Sequence, residues 1–265
     1  MTKKAIGVFD SGLGGLTILN ALRRTLPHEN LIYFGDTANV PYGSKSKEAV
    51  TRLSLAIGRF LQEQNVKLIV VACNTASAQA LGELKKRLAV PVMGVIEPGA
   101  TKAVSVTKNG HIAVLGTEGT VNSKAYPKAL LKKLPNALII QQACPLFVPL
   151  VEENWTNKPA AELIAREYLL PIQQSRADTV ILGCTHYPVL KGVLSRILGA
   201  QVNLVDSADT LAEAAQVFLR KHHLAQTEGK GRITVYASDA PQRFKRLAQI
   251  LLADKISTVH LKKLL

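Results

Sequence analysis

The sequence predicts an α/β protein built on parallel sheets, and three observations predict it. Short β-branched runs alternate with longer stretches of helical periodicity, the pattern of βαβ units. Gly, Pro and Asn signals bound the runs. The alternation also passes twice along the chain, so that it reads as two related halves. In the first half, strands are expected at residues 6–9, 31–34, 68–72 and 92–96. A helix is expected over 47–61, where Val50, Leu53, Ile57, Phe60 and Leu61 recur at steps of three and four, and another over 77–88. A second series begins after Glu97-Pro98-Gly99, with strands at 112–115, 138–141, 179–182 and 202–205. Residues 68–75 (LIVVACNT) read against 179–186 (TVILGCTH) at an offset of 111 residues, which sets Cys73 opposite Cys184. Residues 6–11 read against 112–117 at an offset of 106. Short apolar strands resemble one another by chance, so the shared cysteine carries the comparison.

Composition narrows the class further. The 265 residues are 47% hydrophobic and 20% charged, ordinary globular usage that excludes a disordered, collagenous or disulfide-stapled chain and allows one large domain or two of common size. The odd count of 3 cysteines, none at C-x-x-C spacing, reads as free thiols in a reducing cytoplasm. The basic start Met1-Thr2-Lys3-Lys4 meets Asp10 and a glycine cluster before a signal-peptide core forms, so no secretion is expected. No apolar run approaches the roughly 20 residues of a membrane-spanning helix. The charge is less ordinary: 33 Lys and Arg against 19 Asp and Glu give +14. From Arg220 onward, ten cations (among them Arg243, Lys245, Arg246, Lys255, Lys262 and Lys263) face only Glu228, Asp239 and Asp254. A solvated basic face is the plain account, and a weak polyanion contact through this C-terminal segment is the other. Sparse aromatics (Phe218, Tyr236, Phe244) argue against base stacking.

In open parallel sheets, ligands sit beyond the carboxyl ends of the strands. Cys73 and Cys184 both fall there, each followed by small polar residues, Asn74-Thr75 and Thr185-His186, suited to opening a helix whose N–H groups attract anions. Cys144, beside Pro145, Leu146 and Phe147, reads instead as an inert core thiol. Cys73, Cys184 and His186 supply zinc-type ligands, but a Cys and a His two apart at a strand-to-helix turn converge poorly on a metal, so no metal is expected. The turn Asp10-Ser11-Gly12-Leu13-Gly14-Gly15 fails the dinucleotide fingerprint at Thr17, no phosphate loop is present, and Ser11 lacks the glycine of a nucleophile elbow. What remains is a tight glycine turn, structural or anion-approaching. Asp10 and His186 stand close in sequence to the proposed site elements and are candidates to hold or shuttle protons. Asp36-Thr37-Ala38 and Pro41-Tyr42-Gly43-Ser44 read as loop chemistry after the second strand.

Taken together, IGVFDSGLGGL at 6–16, YFGDTA at 33–38, VPYG at 40–43, ACNTAS at 72–77, GVIEPG at 94–99 and LGCTHYP at 182–188 resemble, in order and spacing, the motifs of the glutamate racemases within the aspartate and glutamate racemase superfamily. The resemblance implies two pseudo-symmetric, doubly wound α/β domains with the active site between them: residues 1–97, completed by 207–265, and residues 98–206. It implies cofactor-independent interconversion of L- and D-glutamate, supplying D-glutamate for peptidoglycan, in a cytoplasmic homodimer. It assigns Cys73 to the D-enantiomer and Cys184 to the L-enantiomer, with Asp10 and His186 assisting. Ser11, Tyr42, Gly43, Asn74, Thr75 and Thr185 would hold the carboxylates and amine, with Thr117, Thr120 and Glu152 lining the site. Racemisation of aspartate or a related acidic amino acid, or a polyanion-binding module on the same fold, are the alternatives. The basicity of this chain is not part of the family pattern.

Overall fold

The computed structural model describes residues 4–252 and 256–264. Met1, Thr2 and Lys3 of the basic start, and Asp254 and Lys255 of the C-terminal charge count, lie outside the described residues. Among the described residues, ten strands form two sheets: β1 (Ile6–Asp10), β2 (Leu31–Gly35), β3 (Leu68–Val71), β4 (Val92–Gly94), β5 (His111–Gly116), β6 (Leu138–Ala143), β7 (Thr179–Gly183), β8 (Asn203–Val205), β9 (Ile233–Ala237) and β10 (Val259–Leu261). The six-stranded sheet has the order β10-β9-β2-β1-β3-β4 and the four-stranded sheet the order β6-β5-β7-β8. Every ladder is parallel.

The order β2-β1-β3-β4 of the first sheet has its counterpart in β6-β5-β7-β8 of the second. The matched stretches of sequence therefore lie on equivalent, adjacent central strands: Phe9 pairs with Val71 in one sheet, and Gly116 with Gly183 in the other. Because both strands of each pair point the same way, the turns that leave them emerge side by side. β1, β3 and β7 are buried along their whole length, which explains why they read as unbroken apolar runs.

The expected helix over 47–61 is Lys47–Glu63, with Ser46 Oγ accepting from Ala49 N at 3.2 Å and Glu48 in the first turn, both favourable at a helix start. All five of its periodic apolar residues are buried. Two expectations shift. The helix expected over 77–88 is two, Asn74–Gln79 and Leu81–Arg87, and the first starts early because the Cys73 side chain caps it. The strand expected over 92–96 stops at Gly94, and Glu97-Pro98-Gly99, read as a connector, forms the first turn of the helix Ile96–Val106, where proline gives up no helical hydrogen bond. Gly99 is small for a reason: a side chain there would come within 2.7 Å of Ser207 Oγ, on the second crossing between the sheets.

After that crossing, the helix Ala208–Lys221 buries Leu211, Ala212, Ala215 and Leu219 in a core that also contains Val8 and Val70 of the first sheet and Val114 and Ile181 of the second. The loop beyond this helix is fastened by a buried ion pair: Lys67 Nζ lies 2.5 Å from Glu29 Oε2 and donates to Leu224 O at 2.6 Å, while Glu29 Oε1 accepts from Gln226 N at 2.8 Å. β9 then adds to the β2 edge, Tyr33 opposite Val235, and β10 adds to β9. Among the described residues, no helix is long and apolar enough to cross a membrane.

Candidate active site

Four strand-end turns meet. The turn after β1 carries Asp10, whose Oδ2 accepts from Gly12 N at 3.0 Å. The turn after β7 reaches it: Thr185 Oγ1 donates to Asp10 Oδ1 at 3.2 Å. A side chain at Gly14 would run into the Thr185 hydroxyl and the His186 ring, so the glycine run makes room for the facing turn. The other two turns are joined by hydroxyls: Thr75, after β3, lies 2.8 Å from Thr117 Oγ1 and 3.3 Å from Thr120 Oγ1, both after β5. The Tyr42-Gly43 loop closes against the same place, with Gly43 O accepting from Gly119 N at 2.8 Å.

Cys73 is the N-cap of the helix Asn74–Gln79, its Sγ accepting from Ala76 N at 3.4 Å. Burial pushes its thiol up to about 12; the charges of Asp10 and Cys184 add to this, against the Ala76 N–H and the Ser11 hydroxyl. Cys184 Sγ lies 3.8 Å from His186 Nδ1, and His186 Nε2 lies 3.2 Å from Glu152 Oε1. Burial opposes a charge on this ring, but its hydrogen bonds to Cys184 and Glu152, with the charges of Cys184 and Asp10, outweigh it and push the His186 pKa up to about 10. Burial raises the Asp10 carboxyl, offset by the His186 charge, the Gly12 and Gly15 N–H groups and the Thr185 hydroxyl.

Asp10, Ser11, Tyr42, Cys73, Asn74, Thr75, Thr117, Thr120, Cys184, Thr185 and His186 are all buried, while Glu152 is partly exposed. The Tyr42 hydroxyl is committed, donating to Asp36 Oδ2 at 2.6 Å; Asp36 also accepts from Asn39 Nδ2 at 3.0 Å and Ser238 Oγ at 2.7 Å. Cys144 sits in the core of the second sheet. Among the described residues, no group of three or more His, Cys, Asp or Glu is disposed to hold a metal ion. Sequence reading passes over Tyr126 and Ser207, which join the network at Asn74; a tyrosine within a helical apolar pattern gives no signal beyond core packing.

The site thus sets two thiols at matching turns of two like sheets. The model of the Asp/Glu/Hydantoin racemase family matches residues 15–215. A glutamate racemase of Geobacter metallireducens is 50% identical over 261 residues, covering 98% of this chain and 97% of its own. Among solved structures, a glutamate racemase isoform from Bacillus anthracis superposes with a TM-score of 0.95 at 36% identity, covering 98% of both chains. Glutamate racemase of Francisella tularensis, solved with D-glutamate, superposes with a TM-score of 0.93 at 35% identity, covering 99% of this chain and 98% of its own. The chain belongs to the Asp/Glu/Hydantoin racemase family and, within it, to the glutamate racemases.

Proposed function

We propose that the chain interconverts L- and D-glutamate without a cofactor, by proton transfer at the α-carbon between two thiols. Inverting a carbon by proton exchange requires removal on one face and delivery on the other, so two opposed groups are needed. The observation that carries the reading is the equivalence of the Cys73 and Cys184 turns, each hydrogen-bonded to a strand-end turn of the other sheet, Thr75 to Thr117 and Thr185 to Asp10. From L-glutamate, the Cys184 sulfur takes the α-proton, and the His186 ring beside it balances charge on that side. The electron pair left on the α-carbon spreads into the α-carboxylate, where hydrogen-bond donors lower the barrier most. The Cys73 thiol, kept protonated by burial, delivers its proton to the opposite face. From D-glutamate the roles reverse: the reaction starts from the state that the L-to-D turnover leaves, with Cys73 deprotonated and the proton on Cys184, so that the Cys73 sulfur takes the α-proton and Cys184 delivers its own to the opposite face.

In this reading, Ser11, Tyr42, Gly43, Asn74, Thr75 and Thr185 hold the carboxylates and amine, with Thr117, Thr120 and Glu152 lining the site. The domain division at 97 and 207 is proposed with it, supported by the return of β9 and β10 to the first sheet. So are a cytoplasmic homodimer and a role in supplying D-glutamate for peptidoglycan. A weak polyanion contact through the basic C-terminal segment is a separate proposal. Arg243 pairs with Glu153 and Lys245 donates to Ser257 O, so its support is the net charge; binding that does not weaken with salt would end it.

The test is exchange in deuterated water. Glutamate should acquire α-deuterium while its mirror form accumulates, with no addition to the protein. Exchange into aspartate in place of glutamate would move the substrate, and exchange into neither would end the catalytic reading.

A further inference from the structure

Tyr126, in the helix Ala125–Lys133 of the second half, has no exposed surface. Its hydroxyl donates to Asn74 Oδ1 at 2.7 Å, and Ser207 Oγ lies 3.3 Å from the same hydroxyl. A phenol that donates to Asn74 is left to accept from Ser207, so the three groups form a chain with one direction: Ser207 to Tyr126 to Asn74. In that chain the amide is turned with Oδ1 toward the phenol. With Oδ1 taken, the NH2 group of Asn74 is the end left to give, and among the described residues it has no hydrogen-bond partner and is not sealed from solvent. Asn74 is the residue next to Cys73 and opens the helix that Cys73 caps. The three members also come from three parts of the fold, one on the first sheet's β3 turn, one on the second half and one on the return crossing, where Gly99 has no side chain to intrude on Ser207 and Tyr126.

We propose that Tyr126, supported by Ser207, is a positioning residue: it fixes the Asn74 amide with its donor face toward the α-carboxylate of the substrate and polarises that donor as charge develops there. This rests on the assignment of Asn74 to substrate binding above. Tyr126 touches no reacting atom and acts through Asn74, which a double-mutant cycle can read.

The experiment measures kcat/KM for glutamate racemisation in the full-length protein and in Tyr126→Phe, Asn74→Ala and the double variant. Losing one neutral hydrogen bond should lower kcat/KM about 3- to 10-fold in Tyr126→Phe. Asn74→Ala should lower it by at least as much, and adding Tyr126→Phe to Asn74→Ala should cost nothing more. Losses that multiply, or a Tyr126→Phe variant as active as the parent, would overturn the proposal. If Tyr126→Phe does not fold, the same cycle with Ser207→Ala, which keeps the phenol, replaces it: a loss that vanishes in the Asn74→Ala background supports the relay, and a loss that persists overturns it. A parent protein inactive on glutamate would instead remove the functional reading on which the relay depends, a result visible before any variant is compared.

Discussion

At the end of β3, the Cys73 sulfur caps the helix that follows it, beside the Ser11 hydroxyl and near the Asp10 carboxylate; at the end of β7, the Cys184 sulfur lies 3.8 Å from a histidine held by Glu152 and is followed by the 3-10 turn Tyr187–Leu190. The strand order around the two turns is the same, and the electrostatics are not. Burial, with the Asp10 charge added to it, pushes the Cys73 thiol up, while the other sulfur lies beside a ring whose own pKa its partners raise. A duplicated scaffold sets two sulfurs on equivalent turns, and the neighbours that differ between the halves give them unequal surroundings.

The strongest way to break that comparison is to remove either sulfur. Cys73→Ala and Cys184→Ala should each lower racemisation by about 10³-fold, the usual weight of a positioned proton-transfer group. Initial rates followed by polarimetry would check it, and a variant that keeps a tenth of the activity would show that its sulfur moves no proton.

His186→Asn comes next, with a loss of about 10- to 100-fold in kcat/KM. The loss must be equal from both enantiomers, because the equilibrium constant of racemisation is one. The asymmetry lies in the isotope effects: with the Cys184 step slowed, the effect of α-deuteration should grow from L-glutamate and shrink from D-glutamate. The same variant tests the charge on the ring. Its folded pKa, about 10, lies above the ordinary 6.5, so its pairing stabilises the fold fully below about pH 6.5 and the contribution is lost as pH rises through about 10. The gap in thermal midpoint between parent and His186→Asn should therefore narrow over that window, and a constant gap would contradict a charged ring.

Glu152→Gln should act more mildly, lowering the rate about 3- to 10-fold by weakening one charge-assisted hydrogen bond. Since that bond is one of the causes raising His186, the alkaline limb of the rate should move to lower pH. The smallest effect is expected at Cys144→Ala. Activity should stay within about 2-fold of the parent, while the small void left where the buried sulfur packed lowers stability by about 1 kcal/mol, read from denaturant unfolding. A rate loss as large as that of Cys73→Ala would mean the three thiols have been sorted wrongly.

Much of this was legible in the linear chain. The alternation of strand and helix follows from periodicity, and Cys73 and Cys184 stand out because they recur at the same point of two matching strand-to-helix turns, a local pattern. The five-residue apolar face of Lys47–Glu63 and the core position of Cys144 are local in the same sense. Other features depend on residues far apart in sequence, and no local pattern encodes them. Gly14 reads as a turn or an anion-binding glycine, yet what requires it is the ring of His186 arriving from the other half. Glu97-Pro98-Gly99 reads as a connector and is a helical turn, small where Ser207 passes. Tyr126 carries no local signal, and its hydroxyl lies on Asn74, 52 residues away.

By itself, then, the order of residues determined the strands, the helices, the doubling and the position of each thiol at a strand end, since these depend on neighbours along the backbone. Which charges confront each sulfur, and which way the Asn74 amide is turned, were decided only when the chain crossed twice between its sheets. Burial and Coulomb interactions act through space, and they can act on these groups only once the two halves are in contact.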